Sequence, residues 1–161
     1  MIKIKHLSRL ASLQAIYQAF MRKIPLSNAF ANIFELINEC VEESYEAGFE
    51  NIIMPEIISN LKSNPEIMNE LQMYSEELIF GIEKNIDSFN DFLSQNDKTR
   101  SVSRIDLPLY AILLVAMYEM DFVEDLDYQI SMNEALEFSK VFCGDESRKY
   151  LNSVLQAFLD K

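Results

Sequence analysis

Apolar residues return at three- and four-residue intervals along most of this 161-residue chain, the period of an amphipathic α-helix. Leu7, Leu10, Ala11, Tyr17, Phe20 and Met21 keep that spacing with Gln14 on the same stripe, predicting a helix over residues 3–21 that Pro25 closes. Ser27 stands where it can cap a second helix carrying Phe30, Ile33, Phe34, Ile37, Val41 and Tyr45, with Gly48 at its end. From Phe49 to Pro65 the pattern weakens, and the two prolines Pro55 and Pro65 bracket one short helix. A long helix follows from Glu66 through Leu93, with room for a break near Met73. Its apolar positions include Leu71, Tyr74, Leu78, Ile82, Ile86, Phe89 and Leu93.

The second half starts with a polar, basic stretch, Ser94–Ser103, which reads as a loop and carries Lys98 and Arg100, with Arg104 just beyond. Pro108 falls early in the next helix, where a missing N–H costs least. Leu109–Met120 is apolar almost all round, which predicts a central buried helix. An acidic loop with Asp121, Glu124, Asp125 and Asp127 leads to Ser131 and Glu134, spaced as a capping box. Leu136, Val141 and Phe142 ride that helix, and Gly144 suits its left-handed C-terminal position. Asp145 can cap a last helix with the stripe Tyr150, Leu151, Val154, Leu155 and Phe158. The expectation is an all-α fold of six to eight helices, one domain over residues 1–161.

Composition supports this. Apolar residues make up 49% of the chain, enough for a core, while three glycines and four prolines leave few chain reversals for a β-sandwich. The most apolar stretch, Ile105–Met120, contains Asp106, Pro108 and Glu119, so no membrane span is expected. No cleavage site follows an apolar run near the N-terminus, and Cys40 and Cys143 are expected as reduced, mostly buried thiols. Both point to the cytoplasm.

Charge adds an asymmetry. The net charge is −12, yet Lys3, Lys5, Arg9, Arg22 and Lys23 all precede the first acidic residue, Glu35. A basic leading segment on an acidic body suggests an anionic partner met at one end, though a solvated helix face would look the same.

Catalytic chemistry finds no foothold. His6 is the single histidine, so no histidine-rich metal site can form, and serine–histidine catalysis would depend on one residue near the N-terminus. Three dispersed glycines build no phosphate loop. Asp125 and Asp127 look like part of a calcium loop but lack its glycine and closing glutamate, which favours a solvated loop. No catalytic residue, metal site or cofactor is expected, and the chain reads as a binding protein.

The C-terminal third carries a resemblance. Ser131-Met-Asn-Glu-Ala-Leu-Glu-Phe-Ser-Lys140, then Val-Phe-Cys-Gly-Asp-Glu-Ser-Arg-Lys-Tyr150 and Leu-Asn-Ser-Val-Leu155, is similar to the signature of the NusB family. Asn133, Glu134, Ala135, Glu137, Lys140, Phe142, Ser147, Lys149, Asn152, Val154 and Leu155 fit it. Upstream, Ala111–Met120 resembles the family's A-I-L-R-x-A-x-Y-E-L helix, and Ser8–Tyr17 its A-R-E-x-A-x-Q-x-L-Y block. Tyr74, Leu78, Gly81 and Ile82 suit its middle pattern. Only residues 24–68, acidic toward their end, stand outside.

The resemblance implies two small helical bundles and a transcription antitermination factor. Such a factor binds boxA-type RNA with the small-subunit ribosomal protein also called NusE, within the transcription elongation complex, and supports processive rRNA transcription. Carried over by position, the RNA contacts are Lys5, His6, Arg9, Lys149 and Tyr150, with Lys3 added as a neighbouring cation; Tyr17 matches a NusE-facing position. The expected surface brings the cationic arm beside the Lys149–Tyr150 turn, where cations hold phosphates and the aromatic stacks on an unpaired base. Tyr17 and Tyr150 can equally be read as core residues, Lys149 as a solvated charge, and Asn133 and Asn152 as ties between helix ends.

The sequence also departs from the pattern. Leu7 and Ser8 interrupt the family's run of arginines, Leu114 replaces an arginine, and Leu109 stands where an acidic residue is common. A protein-interaction module with weak or lost RNA binding is therefore a second reading, and a homodimer hiding the RNA face is compatible with the sequence. A third, an N-terminal fragment of an rRNA cytosine methyltransferase, would need a cofactor-binding domain for which a chain ending at Lys161 leaves no room.

Overall fold

A computed structural model describes residues 4–41 and 55–161, and every regular element among them is helical. Seven α-helices run in order: α1 Ile4–Arg22, α2 Leu26–Val41, α3 Pro55–Ser63, α4 Met68–Asn96, α5 Leu107–Phe122, α6 Tyr128–Phe142 and α7 Asp145–Leu159. Short 3₁₀ turns cover Pro65–Ile67 and Val102–Arg104. The chain divides into two compact units, Met1–Phe80 and Gly81–Lys161. Lys3 and the helix end expected at Gly48 lie outside the described residues.

In the first unit α1 packs on α2 and α3. The buried face of α1 differs from the expected stripe. Leu7, Leu10, Ala11, Leu13, Ala15, Ile16 and Ala19 are buried with Ser8 and Ser12, whereas Tyr17, Phe20 and Met21 are exposed. Small side chains at 11, 12, 15 and 19 let neighbouring helices approach closely, which a count of large apolar residues undervalues. Ser8 donates within reach of the Leu71 and Ile4 carbonyls (3.1 and 3.0 Å) and Ser75 donates to the Leu71 carbonyl at 2.7 Å, whereas the buried Ser12 hydroxyl has no hydrogen-bond partner among the described residues. Buried hydroxyls with such partners add specificity without leaving a desolvated donor. The end of α1 is marked by Lys23 at φ 55°, with the Ile24 N–H donating to the Ala19 carbonyl at 3.0 Å. That is a left-handed C-terminal turn built without glycine. The Pro25 carbonyl accepts from Asn28 and Ala29, so α2 starts at Leu26 and Ser27 lies inside its first turn instead of capping it.

In the second unit α5, α6 and α7 pack on one another. Every residue from Leu109 to Glu119 is buried, as the uninterrupted apolar run predicts, and Leu109 and Leu114 are core residues. The C-terminal part of α4 belongs to this unit. A Cβ on Gly81 would overlap the Tyr118 ring, so α4 and α5 meet where only a hydrogen fits. Further along, the Tyr110 hydroxyl donates to Asn90 Oδ1 at 2.7 Å, and Phe89 stands edge-on to both Phe122 and Phe158.

Several local expectations are corrected. Helix α4 passes Met73 without a break and runs to Asn96, three residues into the expected loop. Helix α6 begins at Tyr128, where Asp127 caps it by accepting from the Gln129 N–H at 2.9 Å. Ser131 is thus inside the helix, its hydroxyl donating to the buried Glu119 Oε2 at 2.9 Å, and the capping box with Glu134 does not form. A buried carboxylate gains more from a donor than an exposed helix end does. Gly144 is extended (φ −83°, ψ 170°) and is the N-cap of α7, so neither its left-handed role nor capping by Asp145 holds. Asn133 and Asn152 are exposed in mid-helix and tie no helix ends.

Candidate functional site

The candidate residues fall into both units. In the first unit, the opening turns of α1 carry Lys5, His6 and Arg9. Lys5 is exposed, with its ammonium 5.0 Å from the centroid of the half-buried Tyr74 ring. His6 Nε2 stands 3.3 Å from Glu56 Oε1 on α3, an ion pair when the imidazole is protonated. Arg9 is a correction. Only 3% of it is exposed, so the side chain expected to meet RNA belongs to the interior of the unit. Two turns on, Tyr17, Phe20 and Met21 share one face at 44%, 39% and 62% exposure. Tyr17 is therefore not a core residue.

In the second unit, the segment after α4 and the start of α7 come together. Asp97 accepts from the Thr99 hydroxyl (2.7 Å), the Thr99 N–H (3.0 Å) and the Arg100 N–H (3.2 Å), which folds the loop back on its first residue. These hydrogen bonds, the Thr99 hydroxyl first, hold the Asp97 carboxyl below its ordinary value. The turn aims Arg100 at α7, where its guanidinium lies 4.7 Å from the centroid of Tyr150. Lys98, Arg100 and Arg104 are exposed on this loop and Lys149 is exposed on α7. Tyr150 is half-buried; burial first, then the charge of Asp97, raises its phenol, so the ring stays neutral under any ordinary condition. It is not the open stacking face expected, because Arg100 occupies a ring face.

The Arg100–Tyr150 pair escapes a sequence reading. The loop's basic character is visible, but nothing in a loop has a periodicity that would fold residue 100 onto residue 150. Burial and the nearby Asp106 raise the Cys143 thiol, which disfavours a reactive thiolate. Among the described residues no cluster of three or more His, Cys, Asp or Glu could hold a metal ion, and no helix is long and apolar enough to cross a membrane.

Comparison with known proteins identifies the family. The profile of the NusB family matches residues 6–160. Transcription antitermination protein NusB of Bacillus cereus strain B4264 is 31% identical over 117 residues, 72% of this chain and 88% of that protein. Its counterpart in B. cereus strain ATCC 10987 is 32% identical over the same shares. Of solved structures, T. maritima NusB is similar with a TM-score of 0.71 at 21% identity, over 100% of this chain and 94% of that one. The antitermination factors NusB and NusE in complex with dsRNA give 0.71 at 13% identity, covering 99% and 98%. Among the described residues the architecture is all-helical and carries exposed cations, the class that the matched family defines: a non-enzymatic transcription antitermination factor. The chain belongs to the NusB family.

Proposed function

We propose that this protein is a cytoplasmic transcription antitermination factor. In this reading it binds boxA-type single-stranded RNA together with the small-subunit ribosomal protein also called NusE, within the elongation complex, and so supports processive rRNA transcription. The observation that carries the reading is the exposed Arg100 seated over Tyr150, which with the exposed Lys149 lies on the segment with the most specific family signature, while Lys98 and Arg104 are exposed on the same loop as Arg100. Lys5 supplies a further cation on the first unit, with His6 beside it and Lys3 ahead of it in the sequence; Arg9 is left out because it is buried. The exposed face of Tyr17, Phe20 and Met21 suits the protein partner, since adjacent large apolar side chains in water favour being covered. A related NusB is known in complex with NusE and dsRNA, which supports both kinds of partner.

The test is binding of boxA-containing, scrambled and duplex RNA, each with and without the ribosomal protein. Preferential binding of the boxA strand, strengthened by the partner, is expected. Lys149→Glu should weaken the RNA step, and Tyr17→Ala should weaken only the step that needs the partner. The burial of Arg9 and the His6–Glu56 pair favour a second reading, an interaction module without RNA binding. A partner complex that forms normally while Lys5→Glu and Lys149→Glu leave RNA association unchanged selects that reading.

A further inference from the structure

The proposed site has an aromatic ring in the expected position, but the ring does not face solvent alone. Arg100 stands over it at 4.7 Å, and the Asp97 turn fixes the backbone from which Arg100 reaches. The Arg100 side chain is exposed, and among the described residues its guanidinium makes no hydrogen bond or ion pair. The cation thus rests over the Tyr150 ring while the side chain as a whole remains exposed to water. A guanidinium can stack on a nucleobase and present N–H donors to phosphate oxygens, two things that an ammonium cannot do together. Tyr150 stays neutral because its phenol is raised, so the backing is the same at any pH where the protein is used.

We infer that Arg100, backed by Tyr150, is the stacking platform for one unpaired RNA base, a binding residue outside the set carried over from the family pattern. The inference rests on the RNA-binding reading and deepens it. Pre-ordering matters here: a guanidinium that already rests on a ring loses less further freedom when a base settles on it than one free in water does. A base locked in a duplex offers no free face, so the platform selects single strands.

The test measures affinity for the boxA-type single strand at low and high salt. Arg100→Ala is expected to weaken binding about tenfold, the scale of one lost stack. Arg100→Lys keeps the charge but not the plane. It should lose nearly as much, and the deficit should persist between about 50 and 200 mM salt because stacking releases no counterions. Tyr150→Leu should cost a similar factor, and Arg100→Ala combined with Tyr150→Leu no more than either alone. Each variant's melting temperature checks that its fold is kept; Arg100→Ala and Arg100→Lys change only an exposed loop residue and carry the decision if Tyr150→Leu unfolds. If Arg100→Lys binds like the unmodified protein, or its deficit fades with salt, Arg100 is a simple charge and the platform is overturned. If the unmodified protein fails to bind the single strand, the RNA reading itself falls, and the platform with it.

Discussion

Asp97 collects three donors through one carboxylate oxygen: the Thr99 hydroxyl, the Thr99 N–H and the Arg100 N–H. All three favour the ionised form, and the pKa lies below the ordinary 3.8. Because the folded value is the lower one, the turn's contribution is fully present above pH 3.8 and disappears as pH falls through the folded pKa. Loss of the turn should also free Arg100 from Tyr150. In ¹H–¹⁵N NMR spectra the Thr99 and Arg100 amides are expected to shift together in that acid range. Asp97→Asn should remove the transition; if it survives the substitution, another group controls the loop. The sequence shows Asp97 and Thr99 in a turn-rich stretch, but the destination of Arg100 is set by tertiary packing, which no local rule contains.

At the scale of elements, the junction of α4 and α5 leaves no room for a side chain at Gly81. Any side chain on Gly81 would overlap Tyr118, and Tyr118 is itself buried and stacked on Phe122 at 5.2 Å. Gly81→Ala is therefore expected to destabilise the protein by about 1–3 kcal/mol despite its higher helix propensity, since overpacking outweighs a propensity gain of about 1 kcal/mol. Urea unfolding should show a lower midpoint with an unchanged slope. Combined with Tyr118→Leu, the loss should be less than additive; strict additivity would mean that the two residues do not share this space. Most helices were readable because burial follows the 3.6-residue period, and α5 because it is apolar all round. The ends were less so. Ser131, Gly144 and Asp145 each fit a familiar terminal pattern, yet the start of α6 was decided by Asp127, and Ser131 was drawn to the buried Glu119. On α1, periodicity gave the helix but not its inner face, since Ser8 and Ser12 are buried while Tyr17 and Met21 are not.

For the molecule as a whole, a net charge of −12 repels an anionic strand. Screening limits the reach of that field to about 8 Å at physiological ionic strength, so local cations govern the encounter. Each unit offers its own: Lys5 on α1, and Lys98, Arg100, Arg104 and Lys149 in the second. With roughly three to five phosphates neutralised, log affinity should fall with log salt at a slope of about −2 to −3.5 for single-stranded RNA. Removing one phosphate contact changes that slope by about 0.7. If one strand engages both units, Lys5→Gln and Lys149→Gln each make it shallower by that amount, and together by about 1.4. If only the second unit binds, Lys5→Gln leaves the slope untouched. A slope indifferent to both substitutions would remove phosphate binding from these lysines altogether, leaving Tyr17 and its apolar neighbours as the working surface.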